Sequence, residues 1–150
     1  LILRDVTRLL RHDPRARGTS FEVNIGNRLL PVRAKEDAIV QVLLNLGVNA
    51  LDAMSDGGVL TFDVTNGEES VIVRVHDTGS GVPSELRNRV FNPFFTTKPS
   101  GHGTGLGLFV SKGIAESIGG ELILEHTGTE GTVFCLRLPA ERAPSAEARG

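Results

Sequence analysis

Apolar residues at Ile2, Val6, Leu9 and Leu10 lay a helical stripe along the first dozen positions, and Asp13-Pro14 with Gly18 ends it. Residues 21–25 alternate apolar and polar, the period of a half-buried strand. Residues 29–32 give a second short strand candidate, with Asn27 near the turn between them. Residues 35–54 predict the strongest helix: they hold no proline and one glycine, Gly47, and stop before Gly57-Gly58. Its core face is predicted from Val40, Leu43, Leu44, Gly47, Leu51 and Met54. Alternating segments 59–65 and 71–76 flank a polar turn at 66–69. Residues 83–90 predict a short helix and 92–103 a long irregular loop. Residues 106–118 predict a helix halted by Gly119-Gly120, and 121–126 and 132–138 a closing pair of strands around Gly128 and Gly131. Residues 140–150, rich in Ala, Pro, Glu, Arg and Ser, predict a disordered tail. No internal repeat is present. Strands in hairpins, rather than strict strand–helix alternation, predict an α+β layer with helices on one face of a mixed or antiparallel sheet.

Composition changes this picture little. The chain has 150 residues, 39% of them hydrophobic, enough for one core without covalent staples. A net charge of -2 leaves no basic footprint for nucleic acid or an anionic membrane, so neither is expected as a partner. Cys135 is the single cysteine, which rules out a disulfide within the chain and suits a reducing compartment. No run approaches the roughly 18 apolar residues of a membrane span. A cytoplasmic domain is expected, although a parent protein can carry a membrane anchor elsewhere.

The 18 glycines matter through their placement. Gly101, Gly103, Gly105 and Gly107 fall at every second position just before a helix. Such a run exposes backbone amides, and the helix N-terminus behind it favours an anion such as a polyphosphate. A flexible hinge is the plain alternative. The spacing fits neither the P-loop nor the dinucleotide fingerprint. On the long helix, Gln41, Asn45, Asn49 and Asp52 stack at spacings of four, four and three. Two carboxamides one turn apart suit a polar ligand, and an amide oxygen suits Mg²⁺ carrying phosphates, whereas an ordinary solvated stripe would look the same. Asp77 ends an apolar strand and is followed by Gly79 and Gly81. Its carboxylate only accepts hydrogen bonds, which suits an adenine amine, but Asp-Gly segments also make plain turns. Phe91, Phe94 and Phe95 crowd the loop ahead of the glycines, as a lid over a ligand would, and Lys98 there is a candidate phosphate contact.

Taken in order, NLGVNALDAM, DTGSGVP, FNPFFTTK, GTGLGL and GTVFCLRLP resemble the ATPase/kinase superfamily of gyrase, the ninety-kilodalton heat-shock chaperones, mismatch-repair ATPases and histidine kinases. Their wording is most similar to nitrogen-regulator-type sensor histidine kinases. The resemblance implies a Bergerat-type two-layer α/β sandwich, a mixed sheet covered on one face by helices, with a mobile ATP lid. It implies ATP and Mg²⁺ as cofactors, with Asn49 as the magnesium ligand. Asn45 lies one turn earlier beside the phosphates, and Asn45, Asn49 and Lys98 form the catalytic set. Asp77 takes the adenine amine, Gly79 and Gly81 shape the base pocket, and Thr132 supports Asp77 or the base. Gly103, Thr104, Gly105, Leu106, Gly107 and Leu108 wrap the triphosphate, and Asp52 belongs to the nucleotide-binding set. Residues 1–19 become a linker from a missing dimerisation domain, 20–139 the ATP-binding catalytic domain and 140–150 a tail.

Hydrolases of that superfamily place a glutamate where this chain has Asn45. An amide cannot act as the general base that activates water. Transfer to an imidazole needs no such base, only positioning and neutralisation of the γ-phosphate. The implied activity is γ-phosphate transfer to a histidine on a separate dimerisation and phosphoacceptor domain of the same kinase, with a response-regulator receiver domain as an indirect partner. A gyrase-like hydrolase and a degenerate nucleotide-binding module are the alternatives. His12-Asp13-Pro14 ends a helix and lacks the later context of a phosphoacceptor motif. His76, His102 and His126 have no metal-ligand spacing.

Overall fold

A computed structural model describes residues 2–95 and 106–141. The elements run α1 (Ile2–Arg11), a 3-10 turn (Pro14–Ala16), β1 (Thr19–Ile25), α2 (Glu36–Ala53), β2 (Gly58–Gly67) and β3 (Ser70–Asp77). A second 3-10 segment (Ser84–Arg89), α3 (Gly107–Ser117), β4 (Glu121–Gly128) and β5 (Gly131–Pro139) complete the order.

The five strands form one sheet in the order β1-β2-β3-β5-β4. β1 pairs with β2 in parallel, because α2 carries the chain back between them; the other three pairings are antiparallel. Alternation sends Leu60, Phe62 and Val64 of β2 to one face, with Val71, Val73 and Val75 of β3 and Phe134, Leu136 and Leu138 of β5. These are buried against α1, α2 and α3 as a single core. The opposite face carries Asp63, Arg74, Glu125 and Arg137, with a three-contact Arg74–Glu125 fork at 2.7–3.1 Å.

The first turn of α2 carries Glu36 and Asp37, which favour the positive end of the helix dipole. Its buried stripe is Ile39, Val42, Leu43, Leu46, Gly47, Ala50 and Leu51, followed by Met54. Val40 and Leu44 are only partly buried at its edge. The core face is therefore rotated from the one expected, since α2 is apolar nearly all round and its period fixes the face poorly. α1 packs on that stripe through Leu3, Val6 and Leu10, and a Cβ at Gly47 would collide with Leu10.

Two predicted elements differ. Residues 29–32 are not a strand: Val32 makes an isolated bridge with Ala140. Pro31 has no N–H to give a ladder, and the Asn66 side chain takes the Leu30 N–H and the Arg28 carbonyl instead. The helix expected over 83–90 is a 3-10 segment, Ser84–Arg89, with Pro83 at its N-cap; Arg87 fastens it to the Leu124 and Glu125 carbonyls. Ala140 and Glu141, at the start of the expected tail, are tied by their N–H groups to the Glu69 and Pro31 carbonyls.

Candidate functional site

Asp77 is the last residue of β3 and pairs with Leu60 on one side and Thr132 on the other. Its side chain faces the helices and is 3% exposed. The Gly79 N–H donates to Asp77 Oδ1 at 2.8 Å, closing a tight turn. Burial pushes the carboxyl above its usual range; hydrogen bonds from the Gly79 and Thr132 backbones and the nearby His76 oppose that shift. A carboxylate offers about four acceptor positions. Two backbone donors leave acceptor capacity for a ligand.

The segment after Asp77 is fixed by packing. A Cβ on Gly79 would stand 2.5 Å from the Ala53 carbonyl oxygen, and Ser80 N–H donates to that same oxygen at 3.3 Å. Gly81 has φ +79 and abuts the Gly128 carbonyl; Gly131 has φ +135 and abuts the Asp77 carbonyl. Val82 N–H donates to Thr127 Oγ1 at 2.7 Å, and Thr127 Oγ1 shares a 2.9 Å hydrogen bond with Thr132 Oγ1. The Thr132 hydroxyl thus faces Thr127, while its backbone serves Asp77. Thr127 went unnoticed in the sequence; a threonine opposite Thr132 in a closing hairpin was its only signal.

The polar stripe of α2 reaches from this segment to α3. Asn45 Nδ2 donates to Ser111 Oγ of α3 at 3.0 Å, and Gln41 Nε2 donates to Asn45 Oδ1 at 3.3 Å. Ser111 is fully buried, a contact that spacing alone did not reveal. Asn49 is half-buried, and among the described residues no hydrogen bond reaches its carboxamide. Asp52 is paired with Arg15 of the first 3-10 turn. Asn45 and Ala53 are eight residues apart, about 12 Å along the helix. Asn49 sits midway between the α3 contact and the Asp77 segment.

α3 begins at Gly107 with Leu106 at its N-cap; no side chain caps it, and the Leu106 carbonyl accepts from Val110 N–H at 2.8 Å. A Cβ on Gly107 would meet nothing within 4 Å, and Leu108 is half-buried. Among the described residues, no side chain takes the Gly107 and Leu108 N–H groups in the first turn of α3, a position that favours an anion. Phe91 docks on Phe134 edge to face, 5.9 Å between centroids, and Lys112 lies 5.2 Å over its ring. Phe94, Phe109 and Val110 are exposed, at 73%, 46% and 41%. Lys98, Gly103, Thr104 and Gly105, with most of the expected lid, lie outside the described residues. Among the described residues no three His, Cys, Asp or Glu side chains group as a metal site, and no helix is long and apolar enough to cross a membrane.

Comparison with known proteins identifies the family and the fold. Residues 34–142 match the histidine kinase-, DNA gyrase B-, and HSP90-like ATPase family. The sensor kinase CckA of Brucella abortus (strain 2308) is 37% identical over 155 residues, covering 92% of this chain and 16% of that protein. The catalytic domain of histidine kinase ThkA, in a nucleotide-free form, aligns with TM-score 0.80 and 34% identity over 93% of this chain and 90% of that one. Full-length ShkA in complex with AMPPNP aligns with TM-score 0.81 and 28% identity over 95% of this chain and 30% of that one. ThkA in complex with response regulator protein TrrA aligns with TM-score 0.77 and 30% identity, over 93% and 40% of the two chains. The chain spans between 16% and 28% of the curated relatives it matches.

Proposed function

Because the chain belongs to the histidine kinase-, DNA gyrase B-, and HSP90-like ATPase family, we propose that it binds Mg-ATP and passes the γ-phosphate to a histidine on a separate dimerisation and phosphoacceptor domain of its parent kinase. Its sheet, covered on one face by three helices, is the Bergerat-type sandwich of histidine kinase catalytic domains. In this proposal Asp77 takes the adenine amine, Gly79 and Gly81 hold the turn that presents it, and Thr132 supports it through its backbone. The polar stripe of α2 and the start of α3, Leu106, Gly107 and Leu108, face the phosphates, with Gly103, Thr104, Gly105 and Lys98 of the preceding segment.

The donors present fit a hard divalent cation: Asn49 offers a neutral amide oxygen with no partner among the described residues, on the helix whose Asn45 meets Ser111, about one turn into α3 from its first residue. Mg²⁺ held there with phosphate oxygens and water would offset phosphate charge during transfer. Transfer forms a bond from the imidazole nitrogen to the γ-phosphorus and breaks the bond to the β–γ bridging oxygen, releasing ADP. Phe109 and Val110, adjacent and exposed on α3, would supply apolar surface on which an acceptor helix docks. The phosphorylated histidine would then serve a response-regulator receiver domain, in the cytoplasm where ATP is available.

One observation carries the choice of kinase over hydrolase. Asn45 is locked between Gln41 and Ser111, and no carboxylate occupies that position to activate water. The test supplies Mg-ATP to this chain with and without the parent's acceptor domain. The expected result is slow hydrolysis alone and acid-labile phosphohistidine when the acceptor is added. Steady hydrolysis without it, and no phosphohistidine with it, would refute the proposal.

A further inference from the structure

Three side chains stand in one row across the helix-facing side of the sheet: Asp77 of β3 pairs with Thr132 of β5, and Thr132 with Thr127 of β4. Directly opposed residues in such a row project to the same face. Asp77 and Thr132 are buried, while Thr127 is half-buried at the end of the row. Thr127 Oγ1 accepts from Val82 N–H at 2.7 Å and lies 2.9 Å from Thr132 Oγ1. The row is thereby joined to the segment that follows Asp77. Just before Val82, Gly81 leaves no room for a Cβ against the Gly128 carbonyl, so the same segment is seated on the end of β4.

The two hydroxyls share one hydrogen bond, so one of their two protons lies between them and one is left over. The third partner decides which. A hydroxyl whose oxygen accepts from an N–H becomes a stronger donor, because hydrogen bonds in a chain polarise one another. Thr127 accepts from Val82, whereas among the described residues Thr132 Oγ1 accepts from no N–H. Thr127 therefore donates to Thr132, and the Thr132 O–H is the proton left over. Among the described residues nothing else takes it, although Thr132 is only 4% exposed, and a buried donor without a partner is costly. It stands in the row next to Asp77, whose carboxylate only accepts. An acceptor and a donor thus lie side by side. Adenine presents the complement: its exocyclic amine donates, and the ring nitrogens flanking that amine, N1 and N7, accept. With the opposite polarity, Thr132 would face the base with lone pairs alone, beside a carboxylate that also has only lone pairs.

We infer that Thr127 is a positioning residue of the base site: it accepts from Val82, donates to Thr132, and so holds the Thr132 hydroxyl as a donor toward a ring nitrogen of adenine. This rests on the adenine site proposed above. It assigns to β4 a part in reading the base, through a residue outside the sequence segments that carry the family resemblance.

The experiment titrates this chain with ATP, 1-deaza-ATP and 7-deaza-ATP, with magnesium, by calorimetry. Each analogue replaces one ring acceptor by C–H and leaves the amine and the triphosphate intact. The same titrations are run on Thr127→Val, which keeps the shape and removes the hydroxyl, and on Thr127→Ser, which keeps the hydroxyl, each first checked for a cooperative melt. Thr127→Ala takes the place of Thr127→Val where the latter does not fold. In the unaltered chain one of the two analogues should bind about fivefold to tenfold more weakly than ATP, as for the loss of one hydrogen bond from a buried donor. In Thr127→Val that difference should shrink to under about twofold, through weaker binding of ATP, and Thr127→Ser should restore it. If the unaltered chain binds ATP and both analogues equally, the inference is overturned while the nucleotide site stands. If Thr127→Val weakens all three ligands by one factor, so that the difference persists, Thr127 is a residue of the fold and the inference is again overturned. Loss of the difference in Thr127→Ser would overturn it too. If the unaltered chain does not bind ATP at all, the adenine site itself fails, and this inference with it.

Discussion

Asp77→Asn separates what the buried carboxylate does for the fold from what it does for a ligand. The substitution keeps the shape and removes the charge. Asp77 Oδ1 accepts from the Gly79 N–H at 2.8 Å, and the Thr132 backbone N–H also favours its charged form. The asparagine oxygen can serve one of them, while its amide group faces the other as a second donor. An orphaned buried donor costs about 1–3 kcal/mol. Against this, the ionised carboxylate is itself disfavoured by burial, since its pKa is raised despite those hydrogen bonds. For a carboxyl whose folded pKa lies above the unfolded one, the stabilising contribution is full below the ordinary carboxylate range. It is lost as pH rises through the folded pKa. At neutral pH the substitution therefore removes one penalty and adds another. The two terms oppose each other, and the melting temperature should move by no more than about 2–4 °C, the shift that corresponds to roughly 1 kcal/mol in a chain of this length.

Binding has no such compensation. A hydrogen bond to an ionised acceptor is worth about 1.5–3 kcal/mol, so adenine nucleotide affinity should fall by about 10- to 150-fold. Calorimetric titration with a non-hydrolysable ATP analogue measures the affinity, and a thermal melt measures the stability. Repeating the titration at falling pH adds a sign test. Affinity of the unaltered chain should decline as Asp77 protonates, at a pH above the ordinary carboxylate range, while the variant should be flat across that window. A folded Asp77→Asn chain that keeps its affinity within about threefold of the original would refute the adenine contact, because no charge-assisted hydrogen bond of ordinary strength could then have been lost.

Other substitutions probe the supports of the site. Gly131→Ala puts a Cβ into the Asp77 carbonyl at φ +135, and should destabilise the chain by about 2 kcal/mol or more in a denaturant titration, with loss of nucleotide affinity. Ser111→Ala removes the acceptor of the Asn45 amide between α2 and α3. A loss of about 1–2 kcal/mol is expected in the same titration, and an unchanged midpoint would mean that the Asn45–Ser111 bond contributes nothing. Cys135 is buried, and burial pushes its thiol pKa up, so alkylation of the native chain near neutral pH should run about a hundredfold slower than in denaturant; comparable rates would contradict its placement in β5.

What could be read from the sequence depended on whether a residue's role was local. The strands and helices were legible because alternation and stop signals act over a few residues: β2 alternates buried and half-buried positions over 60–64, and Gly119-Gly120 ends α3 where expected. Asp77 stood out for the same reason, since the strand before it and the glycines after it are its neighbours in sequence. Where the apolar arc of an element is broad, as on α2 beside its polar stripe, period lost its power, and the face drawn through Val40 and Leu44 gave way to one through Val42, Leu46 and Ala50. The strand expected over 29–32 failed because its hydropathy suited a strand while Pro31 and the Asn66 side chain removed the backbone partners.

The contacts that no local pattern encodes are long-range and polar: Ser111 against Asn45, 66 positions apart, and Arg15 against Asp52, 37 apart. Both land on one stripe of one helix. α2 is the place where three other parts of the chain meet: α3 at Asn45, the Asp77 segment at Ala53, and the turn before β1 at Asp52. A ligand laid along that stripe would touch elements that share few direct contacts with one another. Its binding energy would hold them in one arrangement, and a change in any one of them would be felt as a change in affinity. If so, Arg15→Ala and Ser111→Ala, at sites separated by two turns of helix, should combine non-additively in ATP affinity while remaining additive in the stability of the unliganded chain.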